Sequence, residues 1–134
     1  MTAELDYAFL AEFAKIDNGT LNVIGASFTQ VDATSFPSML ELSIAGRVRR
    51  LEDDEPPLLS IRFFEDQDDS ELVSMEGILE DEENAVRYAG KIASVFVLRG
   101  PLCLTKAGLY KCEISLNGKV VRTLAFEALQ ANAQ

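Results

Sequence analysis

The stretch from residue 110 to residue 129 reads YKCEISLNGKVVRTLAFEAL, and its pattern decides the fold class. Up to Leu116, apolar and polar side chains alternate with the period of a half-buried β-strand. Asn117-Gly118 follows, a dipeptide that accepts positive φ at both central positions of a two-residue hairpin turn. The apolar alternation then resumes on the return. The pattern predicts a β-hairpin whose core side chains are Tyr110, Ile114, Leu116, Leu124 and Phe126.

The same alternation occurs in shorter runs upstream. Residues 40–49 alternate around Gly46, where we expect a β-bulge, and residues 59–63 place three apolar side chains on one face. Turn-forming residues separate such runs at short intervals, as in sandwiches and barrels. We therefore predict an all-β fold with a single domain over residues 1–134. Its architecture is expected to be one antiparallel β-sandwich of about eight strands, with hairpin and Greek-key connections.

The start of the chain fits two patterns. Residues 5–16 carry Leu5, Phe9 and Phe13 at the spacing of an apolar helical stripe, and the alanine and glutamate residues among them favour a helix. In contrast, the dipeptide Asn18-Gly19 between two apolar runs is what a hairpin requires. We favour a strand for this segment, with a helix as the alternative.

The charge of the chain argues against two classes of partner. The 134 residues carry a formal net charge of −10, with a pI of about 4.4. Nucleic-acid backbones and anionic membrane surfaces repel such a chain, and Arg47, Arg49 and Arg50 are too few for a nucleic-acid footprint. The first residues are acidic, and no apolar run approaches the ~18 residues of a membrane span. We expect a cytoplasmic protein that binds neither nucleic acid nor membrane.

The residue types needed for common catalytic mechanisms are scarce. The sequence contains no histidine, the usual general base near neutral pH and the most common metal ligand. Cys103 and Cys112 are expected to be thiols rather than a disulfide, and Cys112 lies on the apolar face of its strand like a small hydrophobe. We therefore predict that the protein is not an enzyme. We assign no catalytic, cofactor-binding or metal-binding residue and no cofactor.

Most of the acidic residues fall in three predicted loops, at residues 52–57, 65–71 and 80–84. Crowded carboxylates of this kind can supply the roughly six to eight oxygens that calcium takes. In a meander, the first and third loops lie at one end of the sandwich and the second loop lies at the other. Asp66, Asp68 and Asp69 would then have to act alone. A calcium-binding sandwich is therefore the alternative function. The simpler interpretation is that the acidic side chains only keep the domain soluble.

Two adjacent phenylalanines raise the question of a partner. In a regular strand Phe63 and Phe64 point to opposite faces, so only one of them can enter the core with Ile61. If Phe63 points inward, we expect Phe64 to be covered by the N-terminal segment or by another molecule. Because the sequence lacks catalytic, cofactor and nucleic-acid signatures, our leading hypothesis is a non-catalytic module that contacts another protein or assembles with itself.

Residues near both ends of the chain form a recognisable set: Asp6-Tyr7-Ala8, Leu10, Asn18-Gly19, residues 21–25, Phe36-Pro37, Gly108-Leu109-Tyr110, Glu113-Ile114 and residues 116–119. This set resembles a family of uncharacterised small bacterial proteins. The resemblance implies a cytoplasmic β-sandwich and supports a strand rather than a helix at residues 5–16. It implies no activity, ligand or catalytic residue.

Overall fold

The computed structural model describes residues 3–80 and 86–131, and within them the chain is built from β-strands. The all-β prediction is confirmed. The strands are β1 (Glu4–Asp17), β2 (Thr20–Ala26), β3 (Gln30–Ala33), β4 (Ser38–Leu51), β5 (Leu58–Glu65), β6 (Ser70–Ile78), β7 (Val86–Tyr88), β8 (Lys91–Leu104), β9 (Gly108–Leu116) and β10 (Lys119–Gln130). No helix in these two ranges is long and apolar enough to cross a membrane.

The described strands form two sheets packed as a sandwich. Sheet A has the order β2-β1-β4-β8-β7, and sheet B has the order β3-β10-β9-β5-β6. Residues 3–80 and 86–131 hold ten strands where about eight are predicted, because β3 and β7 are too short for a two-residue period to reveal them. One pairing departs from the antiparallel prediction. The chain crosses from sheet A to sheet B after β2, and β3 then lies parallel to β10, with Gln30 opposite Glu127.

The C-terminal hairpin forms as predicted. Asn117 and Gly118 adopt φ values of 49° and 83°, so the turn has the left-handed backbone that this dipeptide tolerates. The Tyr110 ring stacks on Phe126 with centroids 5.5 Å apart. The Tyr110 hydroxyl donates to the carbonyl oxygen of Lys106 at 2.6 Å, which satisfies its polar atom. Of the five predicted core residues, four are buried and Leu124 is half-buried against the same core.

The two halves of β1 lie in different environments, and this accounts for the helix-like spacing of its apolar residues. β1 pairs with β4 only as far as Ala11 and then crosses the outer face of sheet A. The Ala14 N–H donates to Ser43 Oγ at 3.1 Å, and the Arg99 guanidinium lies 4.9 Å from the centre of the Phe13 ring. Leu5 packs against the core while Phe13 lies on the outside, so the apolar spacing reflects two environments of one strand. The strand interpretation is confirmed.

Gly46 does not form the predicted bulge. It pairs in regular register with Ala8 on one side and Phe96 on the other. A Cβ at this position would lie 2.5 Å from the carbonyl oxygen of Tyr7 and 2.7 Å from the Phe96 ring. The glycine is therefore needed for close packing within sheet A. The bulge lies in β1 instead, where the register shifts between Leu5 and Tyr7.

Phe63 and Phe64 are both buried, and the predicted cover for Phe64 is wrong. Phe64 is 7% exposed, and the Arg62 guanidinium lies 4.2 Å from the centre of its ring. Arg62 is held there by ion pairs to Asp69 and Glu71. A long side chain with an apolar stem and a planar cation can cover an aromatic ring by itself. Neither the N-terminal segment nor a partner is needed.

Candidate functional site

The candidate site lies on the side of the sandwich where β6 ends sheet B and where β8 and the short β7 end sheet A. β7 pairs with β8 only at Lys91–Ala93, so in residues 3–80 and 86–131 the rest of β8 has a single neighbour, β4. β6 likewise pairs with β5 alone. Unpaired strand edges carry backbone N–H and C=O groups that can accept another strand. Two such edges face the same opening here.

Between these edges lie two adjoining hollows of about 290 and 230 Å³, which share Met75 and Leu98 and which we call the β6–β8 cleft. Ile16, from the part of β1 that crosses sheet A, closes one border. The second hollow extends inward to the core residues Ile61 and Phe63. Almost every lining side chain is apolar. Among the described residues, the ionisable ones that line the cleft are Glu76 and Arg99, and the Arg99 guanidinium lies over the Phe13 ring.

The cleft follows the edge of β8 rather than one of its faces. Its lining includes every residue from Val95 to Leu102 without interruption. Successive side chains of a strand point to opposite faces, so a hollow that touches consecutive residues must run along the strand's edge. The β6 wall is continuous in the same way, from Met75 to Leu79. The backbone of both strands is therefore part of the cleft wall.

The direction of the β8 backbone groups follows from its turn with β7. Ala89 and Gly90 have positive φ, as in a two-residue hairpin turn, so the flanking Lys91 points its N–H and C=O toward β7. Because these groups alternate sides along an antiparallel strand, Val95, Val97 and Arg99 direct theirs into the cleft. Pro101 is also one of the residues whose backbone faces the cleft. The N–H that proline lacks would therefore point into the cleft, and no hydrogen bond to β4 is lost.

Each acidic side chain of the loop between β5 and β6 contacts a cation of the same chain. Lys106 lies 2.7 Å from Asp68, and Lys111 lies 3.0 Å from Asp66. The buried Glu65 carboxylate accepts the backbone N–H groups of Gln67 and Asp68 and so closes the loop. A calcium ion here would have to displace these partners. In the described parts of the chain, no group of three His, Cys, Asp or Glu residues is placed to hold a metal.

The described start of the third acidic loop lies beside the first loop, at the end of the sandwich where we expect both. The Leu79 N–H donates to the carbonyl oxygen of Pro57 at 2.9 Å, which places the chain after β6 beside loop 52–57. Residues 81–84, which belong to the calcium hypothesis, lie outside the described residues.

Added cations are expected to act on this protein by screening and not by site binding. Calcium and magnesium at matched ionic strength should raise the melting temperature gradually and to similar extents, because each relieves the repulsion of a net charge of −10. About 150 mM NaCl should remove most of the difference from salt-free buffer. Thermal melting followed by circular dichroism measures this. A saturable rise that is specific for calcium and is lost in Asp66→Asn/Asp68→Asn would contradict it.

The basic residues considered in the sequence are engaged in ion pairs. Arg47 and Arg49 contact Asp6 and Glu4 on the neighbouring strand β1. The hydrogen bond from Arg47 holds the pKa of Asp6 below its ordinary value. These arginines therefore serve the pairing of β1 with β4.

The two cysteines are free and differ in accessibility. Cys103 is exposed and lies opposite Met39, and Cys112 is buried in sheet B. Burial raises the pKa of the Cys112 thiol to about 12, so it stays protonated at neutral pH and is not a nucleophile. Cys112 thus fills space in the core, as the sequence suggests.

Sequence reasoning missed the β6–β8 cleft. The run at residues 94–99 indicates a strand but not which of its edges is paired. Pro101 is the one local signal, since a proline within a strand favours an edge.

The comparisons with known proteins concern the family and the fold. The sequence matches a family of unknown function, DUF6941, over residues 6–128. An immunoglobulin-like protein from Pseudomonas aeruginosa is similar with a TM-score of 0.49 and 9% identity, over 96% of this chain and 97% of that one. The DNA-bound alkylpurine DNA glycosylase AlkC of Pseudomonas fluorescens is similar with a TM-score of 0.44 and 6% identity, over 75% of this chain and 28% of that one. No curated protein matches significantly.

Proposed function

This chain belongs to the family of unknown function DUF6941, and from its own geometry we propose that it is a non-catalytic module that binds an extended segment of another protein in the β6–β8 cleft. The observation that carries the proposal is the edge of β8 beyond Ala93, which has no strand partner among residues 3–80 and 86–131. Val95, Val97 and Arg99 turn their backbone groups toward an apolar hollow. An added strand pairs with such groups and gains affinity from main-chain hydrogen bonds.

The lining of the cleft favours a polypeptide over a small polar ligand. Sites for small polar molecules converge several polar groups on one point, whereas the ionisable groups of this cleft are Glu76 and Arg99. Alternate side chains of an added strand would contact Ile16 and Met75, which border the opening from the two sheets.

We also propose that the protein works in a reducing compartment such as the cytoplasm. The exposed thiol of Cys103 and the buried thiol of Cys112 are not joined. Unpaired thiols are ordinary in such compartments and uncommon in secreted domains.

The proposal is tested with peptides selected from a displayed library of random twelve-residue sequences. A selected peptide is resynthesised in two forms, one with N-methyl groups on its odd-numbered residues and one with them on its even-numbered residues (the two parities). The affinity of each form is measured by calorimetry. Strand addition uses every second peptide N–H, so one parity should lose binding by at least about tenfold and the other should stay within about threefold. Equal effects of both parities, or no enriched peptide, would overturn the proposal.

Two variants locate the binding surface. Met75→Asp introduces a charge into the cleft and should weaken the peptide by about tenfold or more. Met39→Asp is the matched control, because Met39 is 62% exposed and does not line the cleft. Sedimentation velocity is run on both. A dimer that dissociates only in Met75→Asp would assign the cleft to a second copy of this chain and contradict a foreign segment.

A further inference from the structure

The β6–β8 cleft has an asymmetric electrostatic border. Glu76 lines it on β6, and Glu80 directly follows the lining residue Leu79. The backbone bond from Leu79 to Pro57 brings Glu55 and Asp53 to the same end. In the described part of the chain, none of these four carboxylates is paired with a cation. This end of the cleft therefore carries uncompensated negative charge.

The opposite end of β6 differs in this respect. The carboxylates around the β5–β6 loop, which joins β5 to β6, are matched by Arg62, Lys106 and Lys111. The second hollow, at Val73 and Pro101, is bordered by the cation Arg99. Within the described residues, each carboxylate of the β5–β6 loop thus contacts a cation, whereas Glu76, Glu80, Glu55 and Asp53 at the other end of β6 do not.

We infer that the segment bound in the β6–β8 cleft is basic, with apolar side chains at alternate positions and a lysine or arginine placed against Glu76 and Glu80. This inference rests on the proposed function. A cation at that end would be attracted by several unpaired carboxylates at once. An acidic segment, or a second copy of this chain with its net charge of −10, would be repelled.

Two synthetic ten-residue peptides test the inference. Both have valine at alternate positions and threonine between, and two of the threonines are replaced either by lysine or by glutamate. The lysine peptide should bind at least about tenfold more tightly, and its affinity should fall as NaCl is raised from about 50 to about 500 mM. Fluorescence anisotropy of labelled peptides measures both affinities.

The variant Glu76→Gln/Glu80→Gln should reduce the preference for lysine to below about threefold. Glu12→Gln/Glu127→Gln removes the same total charge away from the cleft and should preserve the preference. If both peptides bind equally and the two parities of N-methylation still differ, the cleft binds strands but this inference is overturned. If neither peptide binds, strand binding itself is contradicted. If the control variant reduces the preference for lysine as much as Glu76→Gln/Glu80→Gln does, the preference comes from net charge. That result would overturn the assignment to Glu76 and Glu80.

Discussion

Phe126→Ala is expected to lower the free energy of unfolding by about 3–5 kcal/mol, the range for truncating a buried phenylalanine. The Phe126 ring is buried between two other rings, with Tyr110 stacked on it and the Phe28 ring edge-on at 5.6 Å. Removing it leaves a cavity and unpacks both partners. Such a loss is a large part of the roughly 5–15 kcal/mol that stabilises a domain.

Urea denaturation of wild type and variant measures this change. Val121→Ala is the control on the same strand, since Val121 is exposed and its truncation should change stability by no more than about 0.5 kcal/mol. A Phe126→Ala protein as stable as the control would mean that the ring does not pack in the centre of the sandwich.

Gly46→Ala is expected to destabilise the protein by about 1–3 kcal/mol, although alanine is ordinarily the better strand residue. The added Cβ would meet the carbonyl oxygen of Tyr7 at 2.5 Å, and a backbone atom cannot move aside as a flexible side chain can. Sheet A would have to separate locally at β1 and β4.

Gly77→Ala is the comparison, because here the added Cβ is not expected to lower the stability. A Cβ at Gly77 would have no atom within 4 Å, so this substitution should be neutral or slightly stabilising through the unfolded state. Calorimetric melting of the two variants compares them directly. Equal effects at the two positions would contradict the close approach of Tyr7 to Gly46.

Local signals explain what could be predicted of the fold. The C-terminal hairpin combines a two-residue period with Asn117-Gly118, and both signals act within a few residues. β3 and β7 have four and three residues, too few for a period to appear. The shielding of Phe64 was also unpredictable, since Arg62 reaches over the ring only when Asp69 and Glu71 hold it.

The candidate site depends on which strands end their sheets, and this is a tertiary property. The sequence around Val97 indicates a strand, but it does not show that, within residues 3–80 and 86–131, β7 pairs with β8 only at Lys91–Ala93. The acidic loops show the converse. Asp66 and Asp68 look like metal ligands in the sequence, but their neutralisation requires Lys111 and Lys106 from distant parts of the chain.

The parallel pairing of β3 with β10 has a consequence for how the chain is made. Gln30 and Glu127 are neighbours in sheet B but lie far apart in the sequence, so β3 is synthesised well before β10. Hairpins such as β5–β6 can close as soon as their second strand emerges, whereas β3 has no partner until β10 arrives. β10 also joins β3 to β9, so sheet B cannot be completed on a nascent chain that lacks its last strand. The last pairing of sheet B therefore waits for β10, whereas its β5–β6 hairpin does not.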